Sequence, residues 1–261
     1  TVTLTALGTN SGNITLGSVR TANATALAVV ITTTSGSIVD GGDTNVDIVT
    51  TNAGSTVTLT AANGIGSGDA IETTVTRINA RNTELNSIAI AETDAIDIER
   101  LLQDRDGSIT LTAGGTITVL AAGTGVIIDD TANTDGNADI LLGSTTGSVV
   151  INQIVRNDSD NAGADITLDA IGQNSDVVVN SAVTAAAGGI AIQADDSVRF
   201  GVAGDVTATG AGNVLVNANR VNTVGDDGDQ IFMADGTVID GGTGTVTLTA
   251  LGTNSGNITL G

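Results

Sequence analysis

TVTLTALGTNSGNITLG occupies Thr1 to Gly17 and returns unchanged as Thr245 to Gly261, 244 residues further on. Within it Val2 and Leu4 alternate with threonines, a polar run Gly8-Thr9-Asn10-Ser11-Gly12 follows, and Ile14 and Leu16 resume the alternation. Period-two alternation marks a strand with one buried face, and the Gly/Asn/Ser cluster supplies a turn, so the phrase reads strand, turn, strand. An unchanged return of this length marks residues 1–244 as one full tandem unit and 245–261 as the start of the next. A repeat unit that cannot close its own core buries it against its neighbours, so the stretch is expected to be cut from a longer array.

Working outward, the phrase echoes as Ser55-Thr-Val-Thr-Leu-Thr-Ala61, Gly107-Ser-Ile-Thr-Leu-Thr-Ala113 and Ala164-Asp-Ile-Thr-Leu-Asp-Ala170. A second phrase, Gly36-Ser-Ile-Val-Asp-Gly-Gly42, echoes as Gly236-Thr-Val-Ile-Asp-Gly-Gly242. The unit is thus itself a degenerate array. Gly64 to Asp106 differs in carrying all four glutamates, Glu72, Glu84, Glu92 and Glu99, and four of the arginines. Within it, alternation at Ile88, Ile90, Ile96 and Ile98 favours strands over a helix at Ala91 to Gln103. From Gly107 onward short apolar clusters recur on a beat of about ten residues.

Such a beat suits two architectures, a parallel β-solenoid of stacked coils or a string of antiparallel β-sandwiches. The chain has no proline and only two aromatics, Phe200 and Phe232, whereas sandwiches normally bury aromatics and carry proline in their loops. Stacked coils instead reward identical small residues in register, with Asn and Thr ladders at the corners. The expected fold is therefore all-β, a right-handed parallel β-helix continuous between repeats, with coils of roughly 20 to 24 residues and an advance of roughly 50 to 60 Å per unit. Tandem sandwiches are the alternative.

The phrases Gly107-Ser-Ile-Thr-Leu-Thr-Ala-Gly-Gly-Thr-Ile-Thr-Val119, Ser11-Gly-Asn-Ile-Thr-Leu-Gly17 and Gly212-Asn-Val-Leu-Val-Asn217 resemble the haemagglutinin-type repeats of filamentous bacterial surface proteins and very large repetitive adhesins. The resemblance runs over essentially the whole chain as a style of sequence. It implies export, a β-helical shaft and a role as a stalk or filament at the cell surface. The 244-residue super-period departs from the simpler members.

Composition excludes more than it selects. Eight arginines against 29 acidic residues give a formal charge of -21, a sign that repels phosphate backbones and anionic headgroups and makes nucleic acid a poor partner. No apolar run approaches the ~20 residues that span a bilayer. Without His, Cys, Lys or Tyr no ordinary nucleophile and base pair can be assembled, and the chain is read as not an enzyme. A polysaccharide-cleaving β-helix would have to use the carboxylates of Asp129-Asp130, Asp195-Asp196 or Asp226-Asp227-Gly228-Asp229.

No cofactor is expected beyond a weak Ca²⁺ site. Gly225-Asp-Asp-Gly-Asp-Gln-Ile-Phe232 resembles a single copy of the glycine-aspartate nonapeptide that holds Ca²⁺ between β-roll turns, which makes Asp226, Asp227 and Asp229 the candidate ligands. An EF-hand-like spacing at Asn133-Thr-Asp135-Gly136 fails, because Thr131 stands at its first position and Leu142 at its last. Arginines are expected to pair with nearby acids, as in the run Arg100, Asp104, Arg105, Asp106. The sequence thus points to a structural component of an extracellular or cell-surface filament, stalk or sheath. Its partners would be further copies end to end, with lateral self-association or glycan as candidates. The competing reading is a repetitive adhesin that binds glycan or Ca²⁺ through acidic turns or through Gly64 to Asp106.

Overall fold

The computed structural model describes residues 1–8, 12–130, 138–220, 229–251 and 256–261. Among these all regular structure is β-strand, and every strand pairing is parallel, which rules out the antiparallel sandwiches. Strands stack into a 16-stranded sheet and a 10-stranded sheet, with a further pair joining Ile14–Thr15 to Ile38–Val39. The chain is a parallel β-solenoid.

Register explains why this sequence stacks. Ile88, Ile109, Ile140, Ile166 and Ile190 form one column, and Leu111, Leu142 and Leu168 form another two residues along. Inward positions of each strand are buried while outward ones stay accessible, as in Ile109–Ala113 and Ile166–Ala170. Like side chains in a column meet at the ~4.8 Å strand spacing and fill a narrow interior without aromatics, and Phe200 is the one ring fully enclosed. Phe232, next to last in Gln230–Met233, points outward instead.

Corners are held by short polar side chains that accept the next coil's amide. Ser87 Oγ accepts from Ser108 N at 3.1 Å, Ser108 Oγ from Asp139 N at 2.9 Å, Asp139 Oδ1 from Asp165 N at 2.9 Å, and Asp165 Oδ1 from Gly189 N at 2.6 Å. Many of the aspartates are therefore corner acceptors. Rungs of like polar residues, the expected corner ladders, occur at Asn152 with Asn180 and at Thr74 with Thr93. A deeper staple is Asn82, fully buried, which accepts from Gly64 N at 2.8 Å and donates to Leu85 O, Asn86 O and Gln103 Oε1.

Two kinds of strand row run along the stack. One row is uninterrupted through Val2–Ala6, Val29–Thr33, Thr56–Ala61, Arg77–Asn82 and Ile96–Gln103. At Ile96–Gln103 it divides. Ile96 to Ile98 carries Ile117–Val119, and Arg100 to Gln103 carries Gly125–Ile128, with a bulge at Glu99 between them. The two halves then continue separately, one through Val149–Ile151, Val177–Val179 and Val198–Phe200, the other through Val155–Asn157, Val183–Ala185 and Val206–Ala208.

The other row does the reverse. It starts divided, with Ile14–Thr15 and Val19–Thr21, then Ile38–Val39 and Ile48–Thr50, then Ile65 and Ile71–Thr74. It fuses at Ile88–Glu92 and stays whole through Val246–Ala250. Gly64 to Asp106, distinct in composition, therefore belongs to the stack itself. Its strands are the place where the two rows exchange character.

Coils vary from 19 residues, Ile71 to Ile90, to 33, Val198 to Ile231. The added length lies in outward loops, so 244 residues make between nine and ten coils and advance roughly 45 Å, below the sequence expectation.

Candidate functional site

The divided row is widest between Ile38–Val39 and Ile48–Thr50, and its intervening loop begins and ends with acids. Asp40 Oδ2 accepts the amides of Gly42 at 2.7 Å and Asp43 at 3.2 Å, an Asx turn that fixes the carboxylate plane. Asp47 lies beside Glu72 of the next coil. Its amide donates to Glu72 O at 2.9 Å, and Glu72 N donates back to Asp47 Oδ2 at 3.2 Å. Asp40, Asp47 and Glu72 each bring one carboxylate oxygen within 4.8 Å of the other two, the one such acidic trio among the described residues.

With Asp47 only 1% exposed, its Oδ1 is fully buried and has no hydrogen-bond partner, and the same holds for Asp40 Oδ1 and Glu72 Oε2. Among the described residues no arginine forms an ion pair with any of the three. Burial, reinforced by the negative charge of Asp40, pushes the Asp47 carboxyl up to about 7. Burial likewise raises Glu72. Held this way, the trio crowds three carboxyl groups together, with the Asp47 and Glu72 carboxyls close enough to share a proton and no basic side chain among the described residues to balance them.

The acids singled out from the sequence lie elsewhere. Asp226 and Asp227 lie outside the described residues, as do Thr131, Asn133, Asp135 and Gly136. Asp229 is buried in a corner, where Asn219 Nδ2 donates to its Oδ2 at 2.6 Å. Asp195 is also buried, accepting from Gly172 N at 2.8 Å and facing Arg220 at 3.4 Å. Leu142 sits in the core of Ile140–Ser144. Arginines do pair with acids, along the chain at Arg156 with Asp158 at 3.0 Å, but more often across coils: Arg81 with Asp104, Arg105 with Glu84 at 3.4 Å, and Arg220 with Asp169 at 2.8 Å. Arg100 instead donates to Asn79 Oδ1 at 2.9 Å. In a stack the nearest neighbour of a side chain is one coil away, some twenty to thirty residues in sequence.

A second feature is a groove of about 720 Å³ where the uninterrupted row divides, lined by Arg77, Asn79, Glu99, Gly123, Thr124 and Asn152 among others. Arg77 and Glu99 approach at 3.5 Å across its floor. No helix among the described residues is long and apolar enough to cross a membrane.

The fold defines the class, a parallel β-solenoid. Comparison with protein-family models, curated proteins and solved structures returned no match.

Proposed function

We propose that this chain is a segment of a mechanical shaft, an extracellular or cell-surface filament, stalk or sheath built from tandem β-solenoid units, and that it is not an enzyme. The observation that supports this reading is the place of the repeated phrase in the stack. Val2 lies under Val29 in an uninterrupted row, and Val246, its counterpart in the second copy, lies over Val214 in an uninterrupted row. Ile14 lies under Ile38 in the first half of a divided row, and its counterpart Ile258 lies over Ile231 in the first half of a divided row.

Both copies therefore occupy the same position in a coil, one serving as base and the other as top. Superposing them continues the columns that the phrase itself carries, Val214 to Val246 to the next unit's Val29 and Ile231 to Ile258 to the next unit's Ile38, without a break in register. Units of 1–244 would then join covalently, with backbone hydrogen bonds running along the axis and no strand edge exposed except at the ends. Export and surface location rest on the haemagglutinin-type resemblance of the repeats.

The test is a length series. Chains of one, two and three units, imaged by electron cryomicroscopy, are expected to be rods of constant width that lengthen by roughly 45 Å per unit. Beads separated by thin links, or rods that widen instead of lengthening, would overturn it.

A further inference from the structure

The three orphaned oxygens of Asp40, Asp47 and Glu72 do not read as a solvated acidic patch. Each is fully buried and unpartnered, although another oxygen of Asp40 and of Asp47 is anchored by backbone amides. Burying a carboxylate oxygen without a partner is unfavourable, and three together in one place compound the cost by mutual repulsion. The chain has no lysine or histidine to relieve it. A fold that anchors one oxygen of Asp40 and of Asp47 and leaves the second oxygen of each bare suits a positive charge among them.

We propose that Asp40, Asp47 and Glu72 form a divalent-cation site, and that the cation is Ca²⁺. Two ligand oxygens at ~2.4 Å from a central ion can lie at most ~4.8 Å apart, which is the limit within which one carboxylate oxygen of each residue falls. Mg²⁺, with oxygens at ~2.1 Å, demands a tighter set and gives up its waters reluctantly. The ligand set is hard oxygen only, as Ca²⁺ prefers, and Asp40 and Glu72, both partly exposed, leave an open side for water to complete the shell.

The site bridges two coils. Asp40 and Asp47 belong to the coil of Ile38–Val39 and Ile48–Thr50, and Glu72 to the coil above, in Ile71–Thr74. A bound ion would therefore staple successive coils where the row is divided and strand pairing is poorest. This site is distinct from the Asp226 to Asp229 turn and does not depend on the shaft reading.

The experiment is calorimetric titration of CaCl₂ into chelator-stripped protein, with thermal melts in parallel. One saturable site assigned to the trio is expected, with a melting temperature several degrees higher in Ca²⁺. Asp47→Asn should weaken that binding at least about tenfold and abolish the Ca²⁺-dependent shift. Since it removes charge from a crowded trio at constant shape, its metal-free melting temperature should equal or exceed that of the parent. Should Asp47→Asn fail to fold, Glu72→Gln, changed on the other coil, is expected to give the same loss.

Asp240→Asn is the control. Asp240 caps its turn through Gly242 N at 2.8 Å just as Asp40 does at Gly42, but it lies outside the trio, and binding should not change. Absence of saturable binding, wild-type affinity in the trio variants, or Mg²⁺ bound as tightly as Ca²⁺ would each overturn the assignment.

Discussion

Thr73 Oγ1 donates to Glu92 Oε2 at 2.7 Å, one coil below a carboxylate that is only 5% exposed. Glu92 stands at the fused end of the row whose divided part carries the acidic trio, and Val75 N, Thr93 N and Asp94 N also donate to it. Despite these donors burial dominates, and the carboxyl is raised from 4.5 to about 7. The folded state thus holds this proton in a range where the unfolded chain has lost it.

Between about pH 4.5 and pH 7 unfolding releases that proton, so stability should fall as pH rises through this window and level off above it. At full effect the change is on the order of 3 kcal/mol. Asp47, also near 7, adds slope of the same sign in metal-free protein. Glu92→Gln should therefore remove part of the slope, measured by denaturant melts across pH 4 to 8 in chelator. An unchanged slope would place the titration elsewhere.

Gly125 opens the second half of the divided row with φ of +101°, and a Cβ there would clash with the carbonyl oxygen of Ile154 in the coil above. Gly125→Ala is expected to destabilise by at least about 3 kcal/mol, from backbone strain and displaced stacking together. Gly143→Ala is the paired control. Its nearest neighbour would be Thr112 Cγ2 at 3.8 Å, so it should be neutral or stabilising by about 0.5 kcal/mol in the same melts.

Asn82 satisfies four groups at once, as described above. Asn82→Ala should cost roughly 2 to 4 kcal/mol, because Gly64 N would be left buried without a partner and the part-buried carbonyls of Leu85 and Asn86 would lose their donor. Hydrogen exchange should report it locally, with faster exchange at Gly64 and around the 83–87 turn before any global change.

Terminal coils of a solenoid expose a strand edge and the apolar column beneath it. Val246, Ile258 and Leu260 are exposed on the last coil, where the inward residues of interior coils are covered. A protein of these 261 residues should self-associate end to end in a concentration-dependent way, visible by light scattering. Ile258→Asp should suppress this without lowering the melting temperature of the interior coils. Equal association of the two proteins would count against stacking through that end.

Much of the fold was legible because its signals are local. The alternation in Ile109–Ala113 and its echoes gave strands, and the scarcity of aromatics and lack of proline favoured stacking. The strands Val155–Asn157 and Val183–Ala185 were not, since each has only one large apolar residue and draws its stability from the column above and below. Division and fusion of rows depend on which coil lies over which, and no short window of sequence carries that. The acidic trio escaped for the same reason. Runs such as Asp226-Asp227-Gly228-Asp229 draw the eye, while Asp40, Asp47 and Glu72 are scattered over two coils and meet only through stacking. Asp40 did stand in an echoed phrase, but the phrase marks a turn and says nothing of what faces it.

The exchange of whole and divided rows has a consequence for shape. In a tandem array each unit would hand its broad side to the opposite sheet, so a bend favoured by one unit would be countered by the next. The thread would keep a straight mean course over great length, much as crossed grain keeps plywood flat. Anything displayed on the divided row, a bound ion included, would recur at intervals of roughly 45 Å on alternating sheets.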